Sequence, residues 1–383
     1  MKFTVKTLLH RSPRLGELNQ ISGKPDISLE TPLALLHTQS GHVPHITHEV
    51  LKLVTQKPQI LQIPVVSMHN YQDAIHHYNG RLSEFIGSRD SLTCLTLHDP
   101  SNLMKQGHHI KDKVPVFTKR DGDTNVGSPN KRVSKAVENT VVFVEQCIEK
   151  FKNSEALKNA FVIAPIAGGY SLKSRQKCIE QLSKHDQHFQ GYLIDGLHNN
   201  GAEVEFIPLH EVKPVIEHIV EQLPPHKLRA VQGCWSPLNI ISMVNCGIDI
   251  FDTSYCRILT ERSAALVFSI NHNEISEAYE INLRQNKYAE EFQPVLKHCE
   301  CVTCTSYTRG YIHHLLTVQE LLGSVLIMIH NVHHMLRFFE KIRECLKDGN
   351  LSELEKRIEA QFKLSECREL SSLEIERSST SVE

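Results

Sequence analysis

Short apolar runs alternate with helix-spaced segments through the middle third of the chain. Phe161–Ile166 is strand-like and ends in Gly168-Gly169, and Ser174–Ser183 follows with helical spacing. Gly191–Ile194 is a second run, ending in Asp195-Gly196. In His210–Leu223, Val212, Val215, Ile216, Ile219, Val220 and Leu223 recur at steps of three and four, the period of one helix face. Leu228–Val231 predicts another strand, stopping at Gly233, and Pro237–Asn245 predicts a short helix with proline in its first turn. Ile248–Phe251 predicts a strand ending at Asp252. Strands recurring every ~20–35 residues between amphipathic helices point to a parallel β/α fold, a TIM-type (β/α)8 barrel. Chemistry in such a barrel sits on the loops after the strands, where Gly168, Asp195, Gly233 and Asp252 fall. Glycine and aspartate are also ordinary turn residues at those positions.

Two other stretches differ in pattern. Lys111–Arg132 has almost no apolar residues after Phe117 and reads as an exposed loop. From Tyr311 to Lys347 apolar residues recur at mixed steps of three, four and seven, predicting one long helix with Gly349 as its stop. Leu326, Ile327, Met328 and Ile329 are consecutive, so this helix is apolar most of the way round and must be covered on several sides. The barrel and a cysteine loop could supply that cover, or a partner chain could. For a partner, the expected exposed anchors are Tyr311, Leu315 and Phe338, with Arg309 and Lys341 nearer the rim. The tail from Ser352 is rich in Ser and Glu, helical in its first half and disordered over Ser378–Glu383.

Composition narrows the class. The chain has 383 residues, enough for one large domain or two ordinary ones. Its formal net charge of −2 leaves any contact with nucleic acid to a local patch or a partner. The longest apolar run, Leu321–Ile329, is too short to span a membrane. The opening Met1-Lys2-Phe3-Thr4-Val5-Lys6 is too polar for a secretory signal. Eleven cysteines, eight of them scattered singly, suit free thiols in a reducing compartment.

The other three cysteines are informative. Cys299-Glu300-Cys301-Val302-Thr303-Cys304 puts three thiols within six residues, two of them at the spacing common in zinc knuckles. A histidine on the following helix can swing back over that loop and close a Cys₃His set, which is the structural kind of zinc site. His330 is one such residue, and His298, His313, His314, His333 and His334 compete with it on spacing alone.

The run from Cys299 to Cys304, then Thr305 to Gly323, then Met328-Ile329-His330-Asn331-Val332-His333-His334, resembles the C-terminal zinc subdomain of the tRNA-guanine/queuine transglycosylases. Gly247-Ile248-Asp249-Ile250-Phe251-Asp252 is similar to that family's nucleophile strand, with weaker similarity at Thr31-Pro32-Leu33 and His98-Asp99. The resemblance implies a TIM barrel over residues 1–294, a zinc-binding helical subdomain over 295–349 and a polar tail over 350–383. It implies one zinc ion per subunit, on Cys299, Cys301, Cys304 and His330.

Catalytic members exchange a guanine base in tRNA for queuine or its precursor, with one aspartate as nucleophile and another as general acid/base. Here the nucleophile position is Asp252, but Thr253-Ser254-Tyr255-Cys256-Arg257-Ile258 departs from the family's Cys-Val-x-Pro-Thr-Arg. Asp99-Pro100-Ser101-Asn102 stands for Asp-Ser-Gly-Gly, and Ala167-Gly168-Gly169 for the base-reading Gln-Gly-Gly. Asp195-Gly196-Leu197-His198-Asn199-Asn200 stands for Gly-Gly-Leu-Ala-Val-Gly. The stretch between Asp99 and Phe161 is short by one strand–helix unit, so the barrel is expected to be incomplete. An intact zinc block with a degraded pocket implies a non-catalytic subunit, with no catalytic residue of its own, paired in a heterodimer with a catalytic queuine tRNA-ribosyltransferase subunit. Transfer RNA would be met through the complex. The resemblance further implies a cytoplasmic location, with peripheral attachment at the mitochondrial outer membrane. The competing expectation is a competent transglycosylase using Asp252 and Asp99.

Overall fold

The computed structural model describes residues 1–8, 13–21, 24–102, 128–155, 157, 160–271 and 278–364. Its strands are β1 Lys2–Leu8, β2 Arg14–Asn19, β3 Leu29–Thr31, β4 Leu33–His37, β5 Ile60–Pro64, β6 Leu92–Thr96, β7 Ile163–Ile166, β8 Gly191–Ile194, β9 Leu228–Ala230, β10 Ile250–Asp252, β11 Ala264–Leu266 and β12 Glu280–Asn282. Its α-helices are α1 His48–Val54, α2 Gln72–His77, α3 Leu82–Phe85, α4 Asn130–Lys152, α5 Leu172–Leu182, α6 Leu209–Gln222, α7 Pro237–Asn245, α8 Ser254–Glu261, α9 Val302–Ser306, α10 Arg309–Thr317 and α11 Leu321–Asp348. Residues 351–364 are also helical. The chain divides into two compact units, Met1–Gly41 with Pro58–Tyr255, and His42–Lys57 with Cys256–Glu383.

In the first unit seven strands make one parallel sheet in the order β6-β5-β4-β10-β9-β8-β7. Leu33, Ala34 and Leu35 of β4 pair with Ile250, Phe251 and Asp252 of β10, so the first and last strands of this sheet lie side by side. That is the closure of a β/α barrel with strands β6 and β7 left as its ends. Among the described residues no strand fills the place between them. Inward-facing Leu35, Ile60, Leu228, Ala230 and Ile250 are buried, whereas Leu92, Cys94, Ile163 and Leu193, on the strands toward the two ends, are only partly so. Among the described residues the barrel is therefore open on the side where one strand–helix unit is short. The three-stranded antiparallel sheet β1-β2-β3 adds Phe3 and Leu18 to the same core. Buried Arg14 joins it to the strands: Nε donates to Asp249 Oδ1 at 2.9 Å and Nη2 to Oδ2 at 2.5 Å.

The expected loop over Lys111–Arg132 needs one correction. Residues 111–127 lie outside the described residues, but Asn130, Lys131 and Arg132 open helix α4, with Pro129 at its N-cap. Val133, Ala136, Val137, Thr140, Val144 and Ile148 form its buried face at helical spacing. The polar residues that start the helix sit on its solvated side and make it look like loop.

In the second unit, α11 and α10 pack with the β11-β12 pair around Ala265, Val267, Ile281, Leu283, Ile312, Leu315, Leu316, Leu326 and Ile327. The single helix expected over Tyr311–Lys347 is two. Gln319 takes a left-handed φ of 59°, and Glu320 N donates back to Leu315 O at 2.8 Å, the bond that ends a helix in a Schellman turn. Gly323 then lets α11 fold back on α10, since a Cβ there would lie 3.1 Å from Leu316. Gly349, with φ of 77°, caps α11 as its position predicts. Leu326, Ile327, Met328 and Ile329 are all buried by the chain itself, and so are Leu315 and Phe338. The last two are therefore not exposed anchors; of the three expected, only Tyr311 is exposed. No helix among the described residues is long and apolar enough to cross a membrane.

Candidate metal centre and the residues at the barrel mouth

The cysteine loop is shaped by its own backbone. Cys301 is the N-cap of α9, and its sulfur accepts from Cys304 N at 3.4 Å. Leu296 N donates to Cys304 Sγ at 3.4 Å. Amide donors of this kind favour thiolate over thiol. Thr303 Oγ1 donates to Leu326 O at 2.7 Å, fixing the loop one turn before His330 on α11. His330 Nδ1 then lies 3.8, 3.6 and 3.3 Å from the sulfurs of Cys299, Cys301 and Cys304. All four ligand atoms fall within 4.8 Å of one another.

This donor set fits a tetrahedral ion. With metal–sulfur bonds of about 2.3 Å and metal–nitrogen bonds of about 2.0 Å, sulfur and nitrogen should stand about 3.5 Å apart, which the three distances bracket. The far side of the ring is also arranged. His330 Nε2 lies 2.7 Å from Leu266 O, which makes Nε2 the donor and leaves Nδ1 its lone pair toward the sulfurs. The thiols share their charge: hydrogen bonds with Cys299 and Cys304 push Cys301 far down, and the bonds with Cys299 and Cys301 push Cys304 up. A cation replaces those shared protons.

The other histidines point elsewhere. His313 Nδ1 faces Leu283 O at 3.0 Å, and His298 and His314 are exposed. His333 lines a cleft beside the group. Buried His334 is bonded to the Phe268 backbone, and burial holds it well below the usual histidine range.

At the mouth of the barrel the polar atoms are already used. Asp252 ends β10 and is 2% exposed. Its Oδ2 accepts from Gly233 N at 2.9 Å, and its Oδ1 from Ser254 N at 2.9 Å and from the Ser254 hydroxyl. Burial pushes the carboxyl up to about 6, against those hydrogen bonds. Asp99 Oδ1 accepts from Ser101 N at 3.0 Å and Ser101 Oγ at 2.7 Å, and Oδ2 from Asn102 Nδ2 at 2.7 Å. The residues that stand where the family has Ser-Gly-Gly thus turn this carboxylate onto its own loop. His37, at the end of β4, sets Nε2 3.5 Å from Asp99 Oδ1.

The loops over the mouth are tied to one another. Gly201 N donates to Pro100 O at 2.9 Å, and Cys234 Sγ lies 3.3 Å from the same carbonyl. Trp235 Nε1 donates to Gln232 O at 3.0 Å, and His198 Nε2 shares that carbonyl at 2.7 Å. His198 and Trp235 meet edge to face, with ring centroids 5.2 Å apart. Below Gly168-Gly169, buried Arg175 donates Nε to Gly169 O at 2.8 Å and Nη1 to Ile166 O.

Several of these residues escape reasoning from sequence. Ser254 follows Asp252 by two residues, and side chains at that offset can bond back locally. Arg175 carries no local signal, because burial alone singles it out.

Comparisons with known proteins agree with this geometry. A family model described as queuine tRNA-ribosyltransferase matches residues 99–363. The Aedes aegypti protein named queuine tRNA-ribosyltransferase accessory subunit 2 is 33% identical over 390 residues, covering 94% of this chain and 93% of that protein. The Anopheles gambiae protein of the same name is 34% identical, covering 95% of this chain and 91% of that protein. For the Drosophila virilis protein of that name the identity is 33%, with 94% of this chain and 93% of that protein covered.

Proposed function

Because the chain belongs to the queuine tRNA-ribosyltransferase family, we propose that it is the accessory, non-catalytic subunit of a heterodimer that exchanges guanine for queuine at the anticodon wobble position of tRNA. The catalytic subunit performs the base exchange, and tRNA is held by the complex. The observation that carries this reading is the state of the two carboxylates. Asp252 and Asp99 stand at the family's two catalytic positions, and each is turned onto its own surroundings by hydrogen bonds, Asp99 by the Ser101 and Asn102 that stand where the family has glycines. A catalytic carboxyl must instead be positioned on its substrate. The whole-length similarity to proteins named accessory subunit 2 supports the same role.

The metal is zinc, one ion per chain, on Cys299, Cys301, Cys304 and His330. Three thiolates and one imidazole make a closed, structural set that leaves no position for substrate. Bound there, zinc cross-links the cysteine loop to α11, and its binding free energy becomes folding free energy of the second unit. The partner-facing surface lies on that unit, which exposes the large apolar side chains Phe292, at 80%, and Leu321, at 83%, together with Tyr311 and Val318.

The test is base exchange into tRNA by each subunit alone and by the two together. Neither alone should reach the activity of the pair, and this chain alone should show none. Turnover by this chain alone, lost in Asp252→Asn, would establish the catalytic alternative instead.

A further inference from the structure

Beside the Cys–His group lies a cleft of about 170 Å³ whose walls include Asn271, His298, Cys299, Glu300, His333 and His334. Of the four ligands, Cys299 is partly exposed and lines this cleft, while Cys301, Cys304 and His330 are buried. His334 sits one helical turn after His330, and the two rings stack with centroids 5.8 Å apart and planes at 22°. The second ring is held the other way round, with Nε2 bonded in His330 and unbonded in His334. His330 gives Nε2–H to the Leu266 carbonyl, and His334 bonds the Phe268 backbone two residues further along the same strand direction. That leaves His334 Nε2 buried with no hydrogen-bond partner, on a ring that borders the cleft. An unpaired buried acceptor is costly, on the order of 1–3 kcal/mol. A lone pair kept at that cost beside a metal group suits a cation.

From this geometry we propose that the cleft is the inlet through which zinc reaches the Cys–His group, and that His334 Nε2 is the nitrogen that passes the ion to the permanent ligands. The inference rests on the zinc reading above. A hydrated dication cannot pass whole into a closed four-ligand site, so it must shed its waters against protein donors one at a time. Glu300 and His298 stand at the opening, Cys299 on the wall and His334 beside the final ring. Cys299 is then the first of the four permanent ligands to bind. His334 gives up the ion as Cys301, Cys304 and His330 complete the set. No oxidation state changes: zinc exchanges water for nitrogen and sulfur, and the thiol protons leave to solvent through the same cleft.

The test uses the full chain and measures zinc content together with rates of zinc release to a chromophoric chelator and of reloading. His334→Asn keeps an amide to bond the Phe268 backbone but removes Nε2, and His334→Phe keeps the stacked ring. Asn271→Trp, at an exposed position, narrows the opening without touching the histidine. Each variant should retain one zinc per chain at equilibrium while release and reloading both slow by about tenfold. Unchanged rates in both histidine variants and in Asn271→Trp would overturn the inlet. Slowing in Asn271→Trp alone would overturn the role of His334. Less than one zinc in the unmodified chain would instead defeat the zinc reading on which the inference stands.

Discussion

The metal corner and the barrel mouth use the same kinds of polar atom and leave them in opposite states. At the metal corner most of the supporting bonds come from outside the donor set. Leu266 O takes the far side of His330, Thr303 pins the loop to α11, and the Leu296 amide steadies Cys304. The four ligand atoms thereby gather within 4.8 Å of one another, around a point where a cation can sit. At the barrel mouth most of the support comes from the next residues along the chain, joined at Asp252 by the Gly233 amide. Ser254 takes Asp252, and Ser101 and Asn102 take Asp99. The carboxylates are oriented by their own loops, with no second group that aims them at a substrate. Residue identity at a family position is thus a weak guide to activity; what matters is whether the neighbours aim the group or consume it.

The contrast can be broken most sharply at Cys301. Cys301→Ala should lose the zinc and unfold the second unit, an effect on the order of 10 kcal/mol because apparent structural-zinc binding energies are of that size. Metal analysis and limited proteolysis would show it, and a mutant that keeps a full zinc would remove the metal corner from the comparison. The first unit should stay folded.

Asp252 offers an effect of middle size. Its folded pKa of about 6 lies above the ordinary unfolded value. Between the two, the folded state holds a proton that the unfolded state has lost, so stability is fullest below about pH 4 and declines as pH rises through 6. A shift of about two units amounts to roughly 3 kcal/mol. Denaturant unfolding of the unmodified chain against Asp252→Asn, which cannot ionise, should show that relative loss between pH 4 and pH 7. Base exchange by the heterodimer should be nearly the same for both. A large fall in turnover with the complex intact would make Asp252 a working nucleophile and erase the contrast.

Leu321→Asp should have the smallest effect on the fold, within about 0.5 kcal/mol, because the side chain is solvent-exposed. It should nevertheless weaken association with the catalytic subunit, measurable by co-purification or calorimetry, with Phe292→Asp as its independent companion. Full affinity in both would place the interface elsewhere. Leu315→Glu is not a usable probe, since Leu315 is buried and a charge there would unfold the unit.

Much of the fold was written in local pattern. The strand Gly191–Ile194 and the helix Pro237–Asn245 match the structure residue for residue, because apolar runs bounded by glycine, aspartate and proline carry their own start and stop signals. The cysteine loop was equally legible, since three thiols within six residues have few other uses. Helix α4 was not, as its polar opening concealed an apolar face that shows only at helical period. Nor was the break at Gln319, where no glycine or proline announces the left-handed turn.

By itself, then, the sequence determined the parallel β/α alternation and the candidate ligands, because each depends on spacing along the chain. Tertiary structure decided which of six histidines faces the sulfurs, whether Leu315 and Phe338 are surface or core, and whether Asp252 is free or clamped. Those outcomes depend on what lies across the fold from a residue. Leu266 and Leu283 choose between His330 and His313 by offering each a carbonyl, from positions 64 and 30 residues away in the chain.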